Sequence, residues 1–263
     1  MSNPASLNPA TGGSAYPHCA ATAGATRTPL TRTRRVTDAP TRMFHWLFAL
    51  SFAGAYVTAE SEHFRLLHVT LGYSLAGLLV FRLAYGIWGP RSMGLGQLWR
   101  KASGVGDWLR SLWAARGGAG VNWRQAQNLG MAVAIVLMLA SVVPLTLSGY
   151  ATYNEWGDFL GGDWLEEVHE FFGNAFLMLV LGHLALLLVM SVLRRKNQAL
   201  PMLTGRMPGP GPDLVPSNRS WLAALLLLCV LAFGAWQWYD SPNGLVSASA
   251  LSGIGQGDDG DDD

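Results

Sequence analysis

The chain of 263 residues is short of charge and almost free of cysteine. Asp, Glu, Lys and Arg make up 13% of it, against about 25% in ordinary soluble domains, so a soluble globular protein is a poor starting assumption. Two cysteines, Cys19 and Cys229, cannot build a disulfide framework. Nor is there a Cys-x-x-Cys-His or paired Cys-x-x-Cys motif, which excludes covalent c-type haem and structural zinc of the ribbon type. Basic residues flank apolar segments instead of forming one stripe with exposed aromatics, which argues against nucleic acid as a partner. The first 40 residues, rich in Thr, Ala, Pro and Arg, lack the apolar stretch of a cleaved signal peptide.

What the chain has is apolar sequence, 50% of all residues. Five runs pass the test for membrane helices, which need roughly 20 mostly apolar residues: Met43–Ala59, Phe64–Trp88, Leu129–Tyr150, Leu165–Leu193 and Trp221–Tyr239. The predicted fold is an all-α integral membrane protein, a four-helix bundle plus a fifth transmembrane helix. Residues 1–35 read as a disordered cytoplasmic tail, 36–200 as the transmembrane core, 201–219 as a Pro- and Gly-rich linker, 220–240 as the fifth helix and 241–263 as an acidic outer tail. Within the core, residues 93–118 intersperse Leu95, Leu98, Trp99, Trp108, Leu109 and Trp113 with Arg100, Lys101, Arg110 and Arg116. This reads either as a basic amphipathic helix in the headgroup region or as a loop with interfacial tryptophans, since Gly104 and Gly106 weaken a continuous helix.

Five alternating spans divide the charge sharply. The N-terminal side holds sixteen basic residues against three acids, and the opposite side one basic residue against fourteen acids. Lys and Arg in short loops mark the cytoplasmic side. The N-terminus is therefore predicted to be cytoplasmic and the C-terminus periplasmic, in the bacterial inner (plasma) membrane. One charge, Arg82, falls within the second span.

Ionisable residues inside a bilayer are costly and point to function, and four histidines lie there: His45, His68, His169 and His183. His169 and His183 are 14 residues apart on one span, about 3.9 turns and about 21 Å of rise, so they share a face at two depths. His68 can then meet His169 at the outer level, and His45 can meet His183 at the inner level. Two stacked bis-histidine sites in a helix bundle are what two non-covalent b-type haems require, with the four histidines as axial iron ligands. Two imidazoles alone under-ligate zinc.

Gly72 and Gly173 each follow an outer histidine by four residues, leaving a hydrogen where a porphyrin plane needs room; packing between helices through small residues is the other reading. The same choice stays open for Gly54, Gly77 and Gly182. Arg82 follows His68 by 14 residues, which places its guanidinium near the inner level to pair with a haem propionate, or else to snorkel to the headgroups. His63, in the outer loop, competes with His68 as a ligand. His18, beside Cys19 in the tail, is read as neither ligand nor catalyst.

A family resemblance rests on specific stretches: Val36-Thr-Asp-Ala-Pro-Thr-Arg-Met-Phe-His45-Trp, His68-Val-Thr-Leu-Gly-Tyr73, Phe81-Arg-Leu-Ala-Tyr-Gly-Ile-Trp-Gly-Pro90, and Val168-His-Glu170 through His183 to Leu203-Thr-Gly-Arg206. Over about residues 34–207 the chain resembles the prokaryotic cytochrome b561 family, which includes the cytochrome b subunits of nickel-iron hydrogenases. The resemblance implies a diheme four-helix core with the four histidines as ligands, and electron transfer between a redox partner and the quinone pool. Many relatives carry Gly-His-Asn-Pro before the third span, where this chain has Gln125-Ala-Gln-Asn-Leu-Gly130. No role of that histidine carries over, and the resemblance does not reach the fifth span or acidic tail.

The functional expectation is one-electron transfer across the membrane, since nothing resembles an acid, base and nucleophile gathered at a substrate pocket. Glu155, Asp158, Asp163, Glu166, Glu167 and Glu170 crowd the outer mouth, either as a dock for a basic redox partner such as a c-type cytochrome or as ordinary solvated loops. Tyr150, Tyr153 and Trp156 serve equally well as an aromatic belt or as part of the quinone site that the family implies. Two other readings remain: a membrane subunit of a hydrogenase or dehydrogenase, and a metal or proton transporter or membrane anchor.

Overall fold

In a computed structural model, residues 32–90, 94–114, 123–157 and 164–241 are described. They form helices α1 (Ala39–Thr58), α2 (Arg65–Trp88), α3 (Leu95–Ser103), α4 (Val105–Ala114), α5 (Trp123–Tyr153), α6 (Trp164–Arg194), α7 (Leu200–Thr204) and α8 (Ser220–Asp240), with short strands β1 (Thr33–Arg35) and β2 (Arg206–Pro208). Among the described residues four segments are long and apolar enough to cross a membrane: Glu62–Trp88, Gln125–Tyr153, Trp164–Arg194 and Ser220–Asp240. The chain is thus an all-α membrane bundle. The first of the five expected spans, α1, is not among these four; it has 20 residues, but Thr41, Arg42, His45, Ser51 and Thr58 dilute its apolar character.

The sequence starts α1 sharply. Asp38 is its N-cap, accepting the Thr41 backbone N–H at 3.2 Å, and Pro40 sits in the first turn, where its missing N–H has no helical partner to lose. At the other end the Thr58 hydroxyl donates back to the Gly54 carbonyl at 2.7 Å, and one 3-10 turn, Glu62–Phe64, reverses the chain into α2. The pair is antiparallel: His68 reaches Ala55, and Tyr85 reaches Asp38 at the far end. Gly54 belongs to this packing, since a Cβ there would lie 2.8 Å from Leu71 Cδ1.

Helices α5 and α6 make a second antiparallel hairpin. His169 meets Leu145 toward one end, while Arg194 donates to Gln127 and Asn128 at 3.1 and 3.2 Å toward the other. Pro144 lies inside α5, so the Ala140 carbonyl loses its usual helical donor, a defect that helices in a bundle tolerate. The hairpins meet through a core of Phe52, Leu75, Leu79, Val142, Leu145 and Phe176. Helix α8 runs beside α1 from the same end, its Leu226 packed with Phe44 and Leu78.

The segment between the second and third spans is helical on both sides of Gly104. It exposes Trp99, Leu109 and Trp113 alongside Arg100, Lys101 and Arg110, the composition of a surface-lying amphipathic pair.

Two tail and linker assignments are corrected. Thr33–Arg35, expected within the disordered tail, forms an antiparallel ribbon with Arg206–Pro208, expected within the linker. The Gly205 carbonyl accepts the Val36 and Thr37 N–H groups at 2.9 and 3.2 Å, and Asp213 accepts the Arg35 N–H at 2.6 Å. Gly205 is required here: its φ is +76°, and a Cβ would sit 2.8 Å from the Thr37 carbonyl oxygen. Val215, also in the linker, is fully buried. Residues 1–31 and 242–263, with His18, Cys19 and the terminal aspartates, lie outside the described residues.

Candidate functional site

The four histidines meet in two pairs. In the outer pair the His68 and His169 ring centroids are 5.9 Å apart with planes at 80°. An imidazole nitrogen sits about 2 Å from a first-row transition metal ion, so two rings facing each other across one ion have centroids about 6 Å apart. Each ring is also held from behind. His68 Nδ1 lies 2.8 Å from the Ala55 carbonyl and His169 Nδ1 3.0 Å from that of Leu145, with Ser148 Oγ at 3.4 Å. A carbonyl only accepts, so Nδ1 carries the proton in both rings, and Nε2 is left as the lone-pair donor. This backing fixes tautomer and orientation, as metal-bound histidines require.

Gly149, which the sequence reading missed, completes the outer pair. A Cβ at this position would lie 2.7 Å from His169 Cε1 and 2.9 Å from Nδ1, so only glycine lets α5 approach the ring this closely. No periodic signal marks it, because its need arises from a neighbouring helix. Gly72 has nothing within 4 Å of an added Cβ, and Gly173 only Leu145 Cδ1 at 4.0 Å. Open space therefore flanks both outer histidines one turn along, as a flat macrocycle needs. Gly77 and Gly182 are similarly open, unlike Gly54.

In the inner pair His45 and His183 are close enough to interact electrostatically, and the Nδ1 atoms of both are shielded from solvent with no hydrogen-bond partner. Buried polar atoms are nearly always satisfied, and these two, unlike the Nδ1 atoms of His68 and His169, have no carbonyl behind them. His45 is ten residues from Ala55 and His183 is 14 from His169, which separates the levels by about 15–21 Å along the helices. Between them lie Phe48, Phe52 and Phe176. Phe176 is fully buried, with centroid distances of 4.4 Å to Phe52 and 6.1 Å to Phe48.

Arg82 lies half-buried toward the inner end of α2, within electrostatic range of Asp38 and Tyr85. Asp38 is fully buried; its second oxygen accepts the Tyr85 hydroxyl in a very short hydrogen bond. Arg219, at the start of α8, reaches the Tyr85 oxygen at 3.5 Å and lies over its ring at 6.0 Å. This buried cluster joins α1, α2 and α8 below the inner pair. The Asp-Ala-Pro capping pattern makes Asp38 legible as a helix start, but its partner Tyr85 is not.

His63 is exposed in the 3-10 turn, and it is His68 that faces His169. Glu155, Glu166, Glu167 and Glu170 are exposed at the His68–His169 end of the bundle, while Asp158 and Asp163 fall outside the described residues. Tyr150 lies 6.3 Å from Tyr73 and 5.6 Å from Trp156, centroid to centroid, at the same end. Among the described residues no three or more His, Cys, Asp or Glu side chains gather as a metal cluster.

Two histidines per level and, at the outer pair, tautomers set by carbonyls and room for a flat ring fit haem. The family model for prokaryotic cytochrome b561 matches residues 36–205, a stretch that contains all four histidines. Nothing among the curated proteins or the solved structures matches the chain.

Proposed function

From membership of the prokaryotic cytochrome b561 family, to which this chain belongs as an integral membrane b-type cytochrome of electron transport, we propose that it holds two haems and relays electrons between a periplasmic redox partner and the quinone pool. The observation that carries the reading is the outer pair: two imidazoles with ring centroids 5.9 Å apart, both held from behind by carbonyls.

Bound haem supplies a reversible one-electron couple at each level. The protein does the rest. Backing each outer Nδ1–H with a carbonyl strengthens Nε2 as a donor and stops the ring from rotating. The packed aromatic layer of Phe48, Phe52 and Phe176 keeps water from the path between levels and holds their spacing rigid. Arg82 supplies positive charge near the inner level, where a propionate is stabilised; Asp38 and Tyr85 hold that charge in place.

The positive charge of the Arg34, Arg35, Arg194, Arg195, Lys196 and Arg206 end supports a cytoplasmic location for it. The His68–His169 level then faces the periplasm, in the inner membrane. There the exposed carboxylates of Glu155, Glu166, Glu167 and Glu170 suit a partner with a basic face, such as a c-type cytochrome.

Haem stoichiometry by pyridine haemochrome, read on single His→Ala variants, tests the assignment. The intact protein should carry two haems; H68A and H169A should lose one haem in common, and H45A and H183A the other. One haem per chain, or haem loss on H63A with none on H68A, overturns it.

A further inference from the structure

On the flank of the bundle, α2, α3 and α5 enclose an apolar groove of about 280 Å³. Its walls are Leu79 and Leu83 of α2, Leu98 and Trp99 of α3, and Leu139 and Ala140 of α5. None of the four histidines lines it. Leu95 fixes the α3 wall by packing so tightly on Gly86 of α2 that any side chain at Gly86 would collide with it.

The rim has a different character. Arg100 and Lys101 form the last turn of α3, directly after groove residues Leu98 and Trp99, and both are exposed. The next basic residue, Arg110, is paired with Asp107 at 3.3 Å. Among the described residues no acid forms an ion pair with Arg100 or Lys101. Trp99 is 67% exposed at the edge of the groove, and an indole half on apolar surface and half in the open is the usual anchor at headgroup level.

We propose that this groove binds an anionic phospholipid, one acyl chain lying between α2 and α5 and the phosphate held by Arg100 and Lys101. An apolar slot that passes within one helical turn into two uncompensated cations complements an anionic amphiphile and gives a zwitterionic lipid no advantage. The site uses the amphipathic segment to fix a lipid at a defined place, and it does not depend on the haem assignment.

Full-length protein, delipidated in detergent, is titrated with dioleoyl phosphatidylglycerol or dioleoyl phosphatidylcholine and analysed by native mass spectrometry. Each basic side chain near an anionic headgroup is worth about fivefold in binding, so the preference for phosphatidylglycerol should be about thirty-fold. R100Q/K101Q, altered only at exposed positions, should abolish that preference while both lipids still bind. A140F, which fills the groove, should weaken both. Phosphatidylglycerol brominated on its acyl chain should quench fluorescence in the intact protein more than in W99F. Equal retention of both lipids by the intact protein, an unchanged preference in R100Q/K101Q, or displacement of phosphatidylglycerol by an equimolar long-chain quinone overturns the proposal.

Discussion

Substituting alanine for Gly149 tests whether the outer histidine is held where iron needs it. The new Cβ would sit 2.7 Å from His169 Cε1, and ordinary contact begins at 3.4 Å, so the ring must retreat at least 0.7 Å. The His169–Leu145 hydrogen bond is already 3.0 Å long, so such a retreat takes it beyond useful length. Losing that bond costs about 0.5–1.5 kcal/mol, while replacing a helical glycine with alanine returns up to about 1 kcal/mol. Overall stability should therefore scarcely change. Haem affinity should respond much more, because removing the partner behind a metal-bound histidine costs about 10–100-fold. The assay is haem transfer to excess apomyoglobin, followed in the Soret band, with electron paramagnetic resonance of the oxidised protein reporting axial geometry. One haem should leave about 10–100 times faster than in the parent, and one low-spin signal should shift. Gly234→Ala on α8, where a Cβ meets nothing within 4 Å, is the control. Unchanged release of both haems together with an unaltered spectrum would refute the claim that α5 positions His169 through Gly149.

Three other perturbations reach separate parts of the structure. Asp38→Ala removes a helix cap and leaves the Tyr85 hydroxyl without its buried acceptor, a loss of about 2–4 kcal/mol; thermal unfolding in detergent should show it, and an unchanged midpoint would deny the cluster a structural role. Arg82→Gln should lower the midpoint potential of the inner haem, because a nearby positive charge favours the reduced, less positive iron; a redox titration with both potentials unmoved counts against Arg82 as a haem neighbour. Electron transfer from a basic c-type cytochrome should slow as salt rises from 10 mM to 1 M, where the Debye length shrinks from about 30 to about 3 Å, and a flat salt response would remove the acidic mouth as a docking surface.

The large features were legible because each depends on residues close in sequence. Helical runs, the 14-residue spacing of His169 and His183 and the Asp38 cap are all local patterns. Choosing His68 over His63 needed only the depth argument, and the structure brings His68 to His169. What escaped depends on the distance between elements. Gly149 looks like any helical glycine until α6 brings His169 against it, and Tyr85 is unremarkable until α2 folds back on Asp38, 47 residues earlier. The ribbon joins segments over 170 residues apart, and neither has the composition of a strand. Arg219 falls by composition in the linker, yet it lies over the Tyr85 ring.

That small ribbon fixes a parity. Because Thr33–Arg35 is hydrogen-bonded to Arg206–Pro208, both ends of the intervening chain lie on one side of the bilayer, and the chain between them must cross an even number of times. Helices α2, α5 and α6 are long and apolar enough for three crossings. At 9, 10 and 5 residues, α3, α4 and α7 are far shorter than the roughly 20 residues a crossing needs. The fourth crossing therefore falls to α1, the polar-flecked helix that hydropathy alone passes over. Three hydrogen-bonded residues at each end thus determine the membrane path of the helix that carries His45, and a reporter fused ahead of β1 should lie on the same side as one inserted after β2.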